Sequence, residues 1–293
     1  QSGIRVNVVS AKAKALLQRL RSEGRNSPAD LLLTVDVGNL HAARAAGVLQ
    51  PLRSDTLEAA VPARYRDPEG YWYALSLRAR PILYARDRVD PAELTGYESL
   101  ADRRWRNRLC IRSSDNIYNQ SLVASRIAHD GAETTETWAR GVVKNFARPP
   151  QGGDRDQIRA VAAGQCDLAV ANTYYLAQMR VSDKETDRAA AEKVAVFWPD
   201  QGGRGVHVNV SGAALTAAAK NRDNARALLE FLVGPEAQRW YAERNQEYPV
   251  RTDVAWSETL QTLGRFEADT LDTARFGELN ADAVKLMDRA GWR

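Results

Sequence analysis

The chain has 293 residues, 44% apolar and 27% charged, and its 41 basic and 37 acidic residues leave a net charge of +4. That is length enough for two ordinary domains with a core each, and the composition is that of a soluble globular chain. The small basic excess is broken by acids in "RDPEG", "DKETDR" and "AERNQE", and no apolar run reaches bilayer length, which excludes a nucleic-acid-binding face and a membrane-spanning helix.

Taken in order, "GIRVNVVSA" alternates like a strand, and "AKALLQRLRSEG" has helical spacing up to Gly24. "ADLLLTVDVG" predicts a strand running into a loop at Asp36-Val37-Gly38-Asn39, and "LHAARAAGVL" a short helix closed by glycine. "WYALSLRARPILYAR" is β-rich and interrupted by Pro81; "LADRRWRNRLCIR" predicts a strand, then the loop "SSDNIYNQ" and the helix "SLVASRIAHDG". "AETTETWARGVVKNFA" has helical spacing, and "GGDRDQIRAVAAGQ" predicts a helix with Asp154 as N-cap and Gly164 just past its end. Strand "CDLAVA" leads to Tyr174-Tyr175 at the start of a further helix, and "KVAVFWP" and "VHVNVSGAALT" read as strands around the loop "DQGGRG". Two helices, "NRDNARALLEFLVG" and "PEAQRWYAER", are separated by a glycine stop and a proline start. The tail "FGELNADAVKLMDRAG" is a final helix. Alternating strands and helices point to an α/β fold with largely parallel sheets. Without a flexible linker, two lobes should be joined by strands that cross between them, for which the segments 80–86 and 200–206 are the candidates.

Motifs for common enzyme chemistry are absent: there is no GxSxG elbow, P-loop or HExxH pair. His41, His129 and His207 show no metal-ligand spacing, "GGRG" is a turn before a strand, and "DRD" at 154–156 suits helix capping better than calcium. Cys110 and Cys166 lack CxxC spacing. They are either two buried thiols or, in a secreted protein, a disulfide contributing roughly 4 kcal/mol in the chain-entropy account.

The tyrosines carry more. Tyr174 and Tyr175 follow the strand that begins at Cys166, and Tyr118 follows the strand that contains Cys110. Each pattern puts phenols at the carboxyl end of a strand, where open α/β sheets place ligands. If the cysteines are bonded, the strands are neighbours and the three phenols converge. Adjacent aromatics are commonly core packing; three in matched strand-end positions favour ligands. Three phenolates are hard oxygen donors suited to a trivalent cation, above all Fe³⁺, which would displace the phenol protons on binding.

The segments "CIRSSDNIYNQSLVASRIAHDGAE", "GGDRDQIRAVAAGQCDLAVANTYYLAQM", "GVHVNVSGAALTAAAKNRDNARALLEFLV" and "NQEYPVR" resemble periplasmic ferric-ion-binding proteins. These are the FbpA/FutA-type solute-binding components of bacterial iron ABC transporters, and the similarity runs over nearly the whole chain. It implies a two-lobed periplasmic-binding-protein fold of the second topological type, with two mixed sheets, hinge strands and a cleft between the lobes. The expected lobes are 1–83 plus 205–252, and 84–204 plus 253–293 with the tyrosines. The resemblance implies Fe³⁺ held by Tyr118, Tyr174 and Tyr175, with a synergistic carbonate or phosphate. Arg80, Ser113, Ser114 and Asn172 fall where an anion could sit, and Asp36 and Asn39 on the lip of the opposite lobe; turn and cap chemistry accounts for these residues equally well. It further implies delivery to an inner-membrane ABC permease and a monomer, free or lipid-anchored in the periplasm. The family opens with a strand and helix ahead of the segment matching "GIRVNVVS"; this sequence starts after them at Gln1, so a processed or truncated chain is expected. The rival readings are the same fold binding a polyamine, an oxyanion or a phosphorylated compound, and an iron-dependent enzyme.

Overall fold

The structure is a computed structural model that describes residues 2–293. Residues 2–12 form neither helix nor strand, and Val6, Val8 and Val9 are exposed. The alternation there predicts a strand, but no neighbouring strand lies beside it to cover its apolar face. Regular structure begins with α1 (Ala13–Glu23), β1 (Leu31–Val35), α2 (Val37–Ala45), β2 (Leu49–Gln50), α3 (Asp55–Ala60), β3 (Tyr73–Ala79) and β4 (Ile82–Ala85). Then come β5 (Leu109–Cys110), α4 (Ile117–Asp130), α5 (Ala132–Lys144), α6 (Asp154–Ala162), β6 (Leu168–Val170), α7 (Thr173–Arg180), α8 (Glu185–Glu192) and β7 (Val194–Phe197). The last part holds β8 (Val208–Thr216), α9 (Arg222–Leu232), α10 (Pro235–Trp240), β9 (Tyr248–Pro249), α11 (Glu258–Gln261), α12 (Ala274–Glu278) and α13 (Asn280–Ala290).

The strands form two sheets. One runs β1-β8-β3-β9, with β2 also on β8; the other runs β5-β6-β4-β7. Among the named strands only β5 and β6 pair in parallel, so the expectation of largely parallel sheets is overturned. The cause lies in the crossings. The chain leaves the first sheet at the end of β3 and enters the second as β4, then returns from β7 into β8. Each crossing delivers a strand into the middle of its new sheet, antiparallel to both neighbours.

Arg80 and Pro81 make the first crossing, where a residue without an N–H ends the β3 ladder; residues 198–207 make the second. The two are tied together. The Arg80 N–H donates to the His207 carbonyl (3.0 Å), the His207 N–H donates to the Tyr97 hydroxyl (3.2 Å), and that hydroxyl donates to the Arg80 carbonyl (2.7 Å). A third segment joins them through Val206 N–H to Glu267 O and Asp269 N–H to Val206 O, both 2.9 Å. His207 is fully buried there, and burial, with Arg80 and His129 adding to it, pushes its pKa down to about 3.

Several boundaries differ from the sequence reading. Residues 37–39 are the first turn of α2, with Asp36 as its cap. Gly153, not Asp154, caps α6, and the final helix is broken at Leu279. The broken piece, α12, packs against both α2 and α4. The approach is so close that a Cβ on Gly277 would stand 2.3 Å from the His41 Cβ.

Candidate metal centre

The parallel register of β5 and β6 sets Cys110 beside Ala169, and a disulfide joins Cys110 to Cys166. With those strands side by side, the helices that follow them start at one place. Asn116 caps α4 through its side chain, which puts Tyr118 in the first turn; Asn172 precedes α7, which puts Tyr174 and Tyr175 in its first turn. The hydroxyls of Tyr118 and Tyr174 lie 3.3 Å apart, and the rings of Tyr174 and Tyr175 pack with centroids 4.1 Å apart. Tyr118 and Tyr174 are each 8% exposed, so the pair sits at the bottom of the site, while Tyr175 is half-buried. The structure thus brings together the hydroxyls of Tyr118 and Tyr174 and packs the Tyr175 ring beside them.

Four arginines surround the rings. The Cζ of Arg78 lies 5.2 Å from the Tyr174 ring centre, Arg80 and Arg112 each 5.7 Å from that of Tyr118, and Arg155 5.0 Å from that of Tyr175. Burial raises the Tyr118 pKa to about 12 and that of Tyr174 well above the ordinary phenol value; Arg78 acts against burial in both. Left alone, Tyr118 and Tyr174 stay protonated at neutral pH. An incoming cation must supply the charge that ionises them.

Arg78 is the residue that the sequence reading missed. It projects from β3 into the site, 1% exposed, and donates from Nη2 to Glu247 Oε1 (2.9 Å) and to the Ser211 hydroxyl. Burial lowers its pKa, but Glu247, with Asp36 behind it, more than offsets that and holds it charged above the ordinary arginine value. Its Nη1 and Nε have no partner, which leaves donors for a further acceptor. Glu247 reaches this position because a π-helical turn at Tyr241–Asn245 ends in Gln246 with left-handed backbone (φ 55°); such turns recur at functional sites.

Arg80, expected at the anion position, is used by the protein itself. Its guanidinium donates to Asp154 (3.0 Å), Asn172 (2.9 Å), Asn119 (2.7 Å) and the Val170 carbonyl (3.4 Å). Asp154 also accepts from Arg112 at 2.6 Å, so this buried carboxylate fastens two arginines beneath Tyr118. Arg78 and Arg80 lie two residues apart and alternate onto one face; nothing local in the sequence distinguishes the one that is tied off.

Ser113 and Ser114 form the turn before α4, accepting through their carbonyls from Asn119 (3.2 Å) and Gln120 (2.8 Å). Asn172 gives its Oδ1 to Arg80, while its Nδ2 is buried without a partner. Asp36 is not a lip residue: it is 0% exposed. Its oxygens accept from Gly38 N–H (2.9 Å), the Ser121 hydroxyl (2.6 Å) and Asn209 (3.0 Å). Burial raises its pKa to about 6 against those donors, and its φ of 69° is strained for a non-glycine residue. Asn39 donates to the Val35 carbonyl at 2.8 Å. The resemblance placed these two at the rim; α2 begins at Val37, so Asp36 is its buried cap and Asn39, half-buried, lies in its first turn.

No cluster of three His, Cys, Asp or Glu suited to a metal occurs among the described residues.

Comparison with known proteins places the geometry in a family. Residues 26–271 match the family described as bacterial extracellular solute-binding protein. Iron uptake protein A1 of Synechocystis sp. is 48% identical over 293 residues, covering all of this chain and 81% of that protein. The Trichodesmium protein solved in complex with iron and citrate ligands superposes with a TM-score of 0.97 at 49% identity, over all of this chain and 92% of that one. The ferric binding protein from Campylobacter jejuni superposes with a TM-score of 0.96 at 40% identity, over all of this chain and 93% of that one. With two sheets, the first antiparallel and the second mixed rather than both mixed as expected, joined by crossing strands, the fold is the two-lobed periplasmic-binding-protein fold of the second topological type. The chain thus belongs to the bacterial extracellular solute-binding proteins, and within them to the group of the iron-uptake and ferric-binding proteins.

Proposed function

We propose that the protein captures ferric iron in the cleft on Tyr118, Tyr174 and Tyr175 and hands it to an inner-membrane ABC permease from the periplasmic side. The observation that carries this is the 3.3 Å approach of two phenol oxygens from separate strand ends, with the third tyrosine packed beside them. Three phenolates neutralise one Fe³⁺. Arg78, with Nη1 and Nε unpartnered, and the Nδ2 of Asn172 then offer donors to a synergistic anion such as carbonate, phosphate or a carboxylate. The iron and citrate in the Trichodesmium relative support this reading. We assign the lobes close to 1–83 plus 205–252 and 84–204 plus 253–293, supported by the change of sheet after β3 and before β8, with the first boundary drawn back to Arg80–Pro81 so that β4 stays whole in the second lobe. Relatives named for iron uptake and ferric binding support a transport role rather than an enzyme.

Closure excludes water around the ion, and reduction to the divalent ion weakens its hold on phenolate, which gives a route to release. Adding ferric salt with a weak chelator should produce a visible phenolate-to-iron charge-transfer band. Tyr174→Phe with Tyr175→Phe should abolish it. A band that is absent from the starting protein, or unaltered in that double variant, refutes the proposal.

A further inference from the structure

On the outside of the second sheet, away from the phenols, a cavity of about 450 Å³ is lined by Arg86, Arg180, Arg188, Ala191, Glu192 and Thr262. A neighbouring one of about 410 Å³ shares Arg86 and Glu192 and adds Asp87, Arg88 and Lys193. Most arginines near carboxylates in this protein are ion-paired. Arg86, Arg180 and Arg188 are not: among the described residues none has a carboxylate within 4.0 Å. Arg180 is fixed by Thr262, donating to its hydroxyl at 2.7 Å, and Arg188 donates to the Ser182 carbonyl at 2.5 Å. Three guanidiniums and a single carboxylate, that of Glu192, line one concavity, which leaves an excess of positive charge, and burial together with Arg86 lowers the Arg180 pKa. Such an arrangement is stabilised by an anion between them.

We propose that this cavity is a second binding site, for a small anion carrying two or more carboxylate or phosphate groups. The site is built on the far end of α7, the helix that starts with the tyrosines. Arg180 closes that helix, roughly 8 Å along the axis from Tyr175. Helix carbonyls face this end, so the arginines and not the helix dipole must supply the attraction.

The test titrates pyrophosphate and, separately, citrate into the iron-free full chain by calorimetry. It is repeated on Arg86→Ala with Arg188→Ala, two exposed positions, and on the Gln pair as a second variant. Because Arg78 can also hold an anion, the readout is the difference between chain and variant. The inference requires that one binding event weaken by about tenfold per guanidinium removed while the ferric band is unchanged. Loss for pyrophosphate alone or for citrate alone supports the site and names its chemistry. Identical isotherms in chain and variants, or no binding of either anion, overturns it.

Discussion

The disulfide gives the sharpest quantitative prediction. Replacing Cys110 and Cys166 by alanine together opens a loop with a sequence separation of 56. In the chain-entropy account such a loop restricts the unfolded state by roughly 4 kcal/mol. If the two lobes unfold as one unit, an unfolding entropy of about 2.1 cal/mol/K per residue makes that a fall of roughly 7 °C in Tm. If the lobe carrying the bond unfolds by itself, the entropy is about halved and the fall roughly doubles. Scanning calorimetry on the iron-free chain and the double variant, with transition enthalpies compared, separates the cases. Because the bond acts on the unfolded chain while the β5–β6 register is held by its own ladder, the ferric band should survive at full intensity. A Tm unchanged within a degree or so refutes the entropy argument. A lost band at unchanged Tm refutes the view that register, not the sulfur bridge, positions the phenols.

Glu247→Gln strands the buried guanidinium of Arg78 and should cost about 3–5 kcal/mol by denaturant unfolding, whereas Arg78→Met combined with Glu247→Gln should recover most of it; an equal loss in both would show the pair is not coupled. His207 contributes a loss of stability as pH drops from the ordinary histidine value of 6.5 towards about 3, since the unfolded chain takes up its proton first, and Asp36 offsets that loss between about 6 and 4. In His207→Gln the sign reverses between about 6 and 4, because folded Asp36 binds its proton at higher pH than unfolded Asp36 does; Tm against pH checks both signs. Gly277→Ala drives a methyl into His41 on α2 and should destabilise by about 1–3 kcal/mol, read as a shifted denaturant midpoint.

The phenols were legible because their position depends on local order: strand, turn, then tyrosine. Arg78 was not, because its partners Ser211 and Glu247 come from β8 and from the approach to β9, distant in sequence. Arg80 reads identically, yet it is tied off by Asp154 and Asn119. The alternation at 4–10 was a true pattern without a neighbouring strand to act on. The antiparallel central strands escaped notice because periodicity reports which face is buried and not which direction a strand enters its sheet.

The ring of hydrogen bonds at Arg80, His207 and Tyr97, with the segment at 267–269 beside it, puts three passages of the chain in one row. A row of tied pivots works as an axle: the halves can swing about it, but sliding or corkscrewing past each other would break several backbone bonds at once.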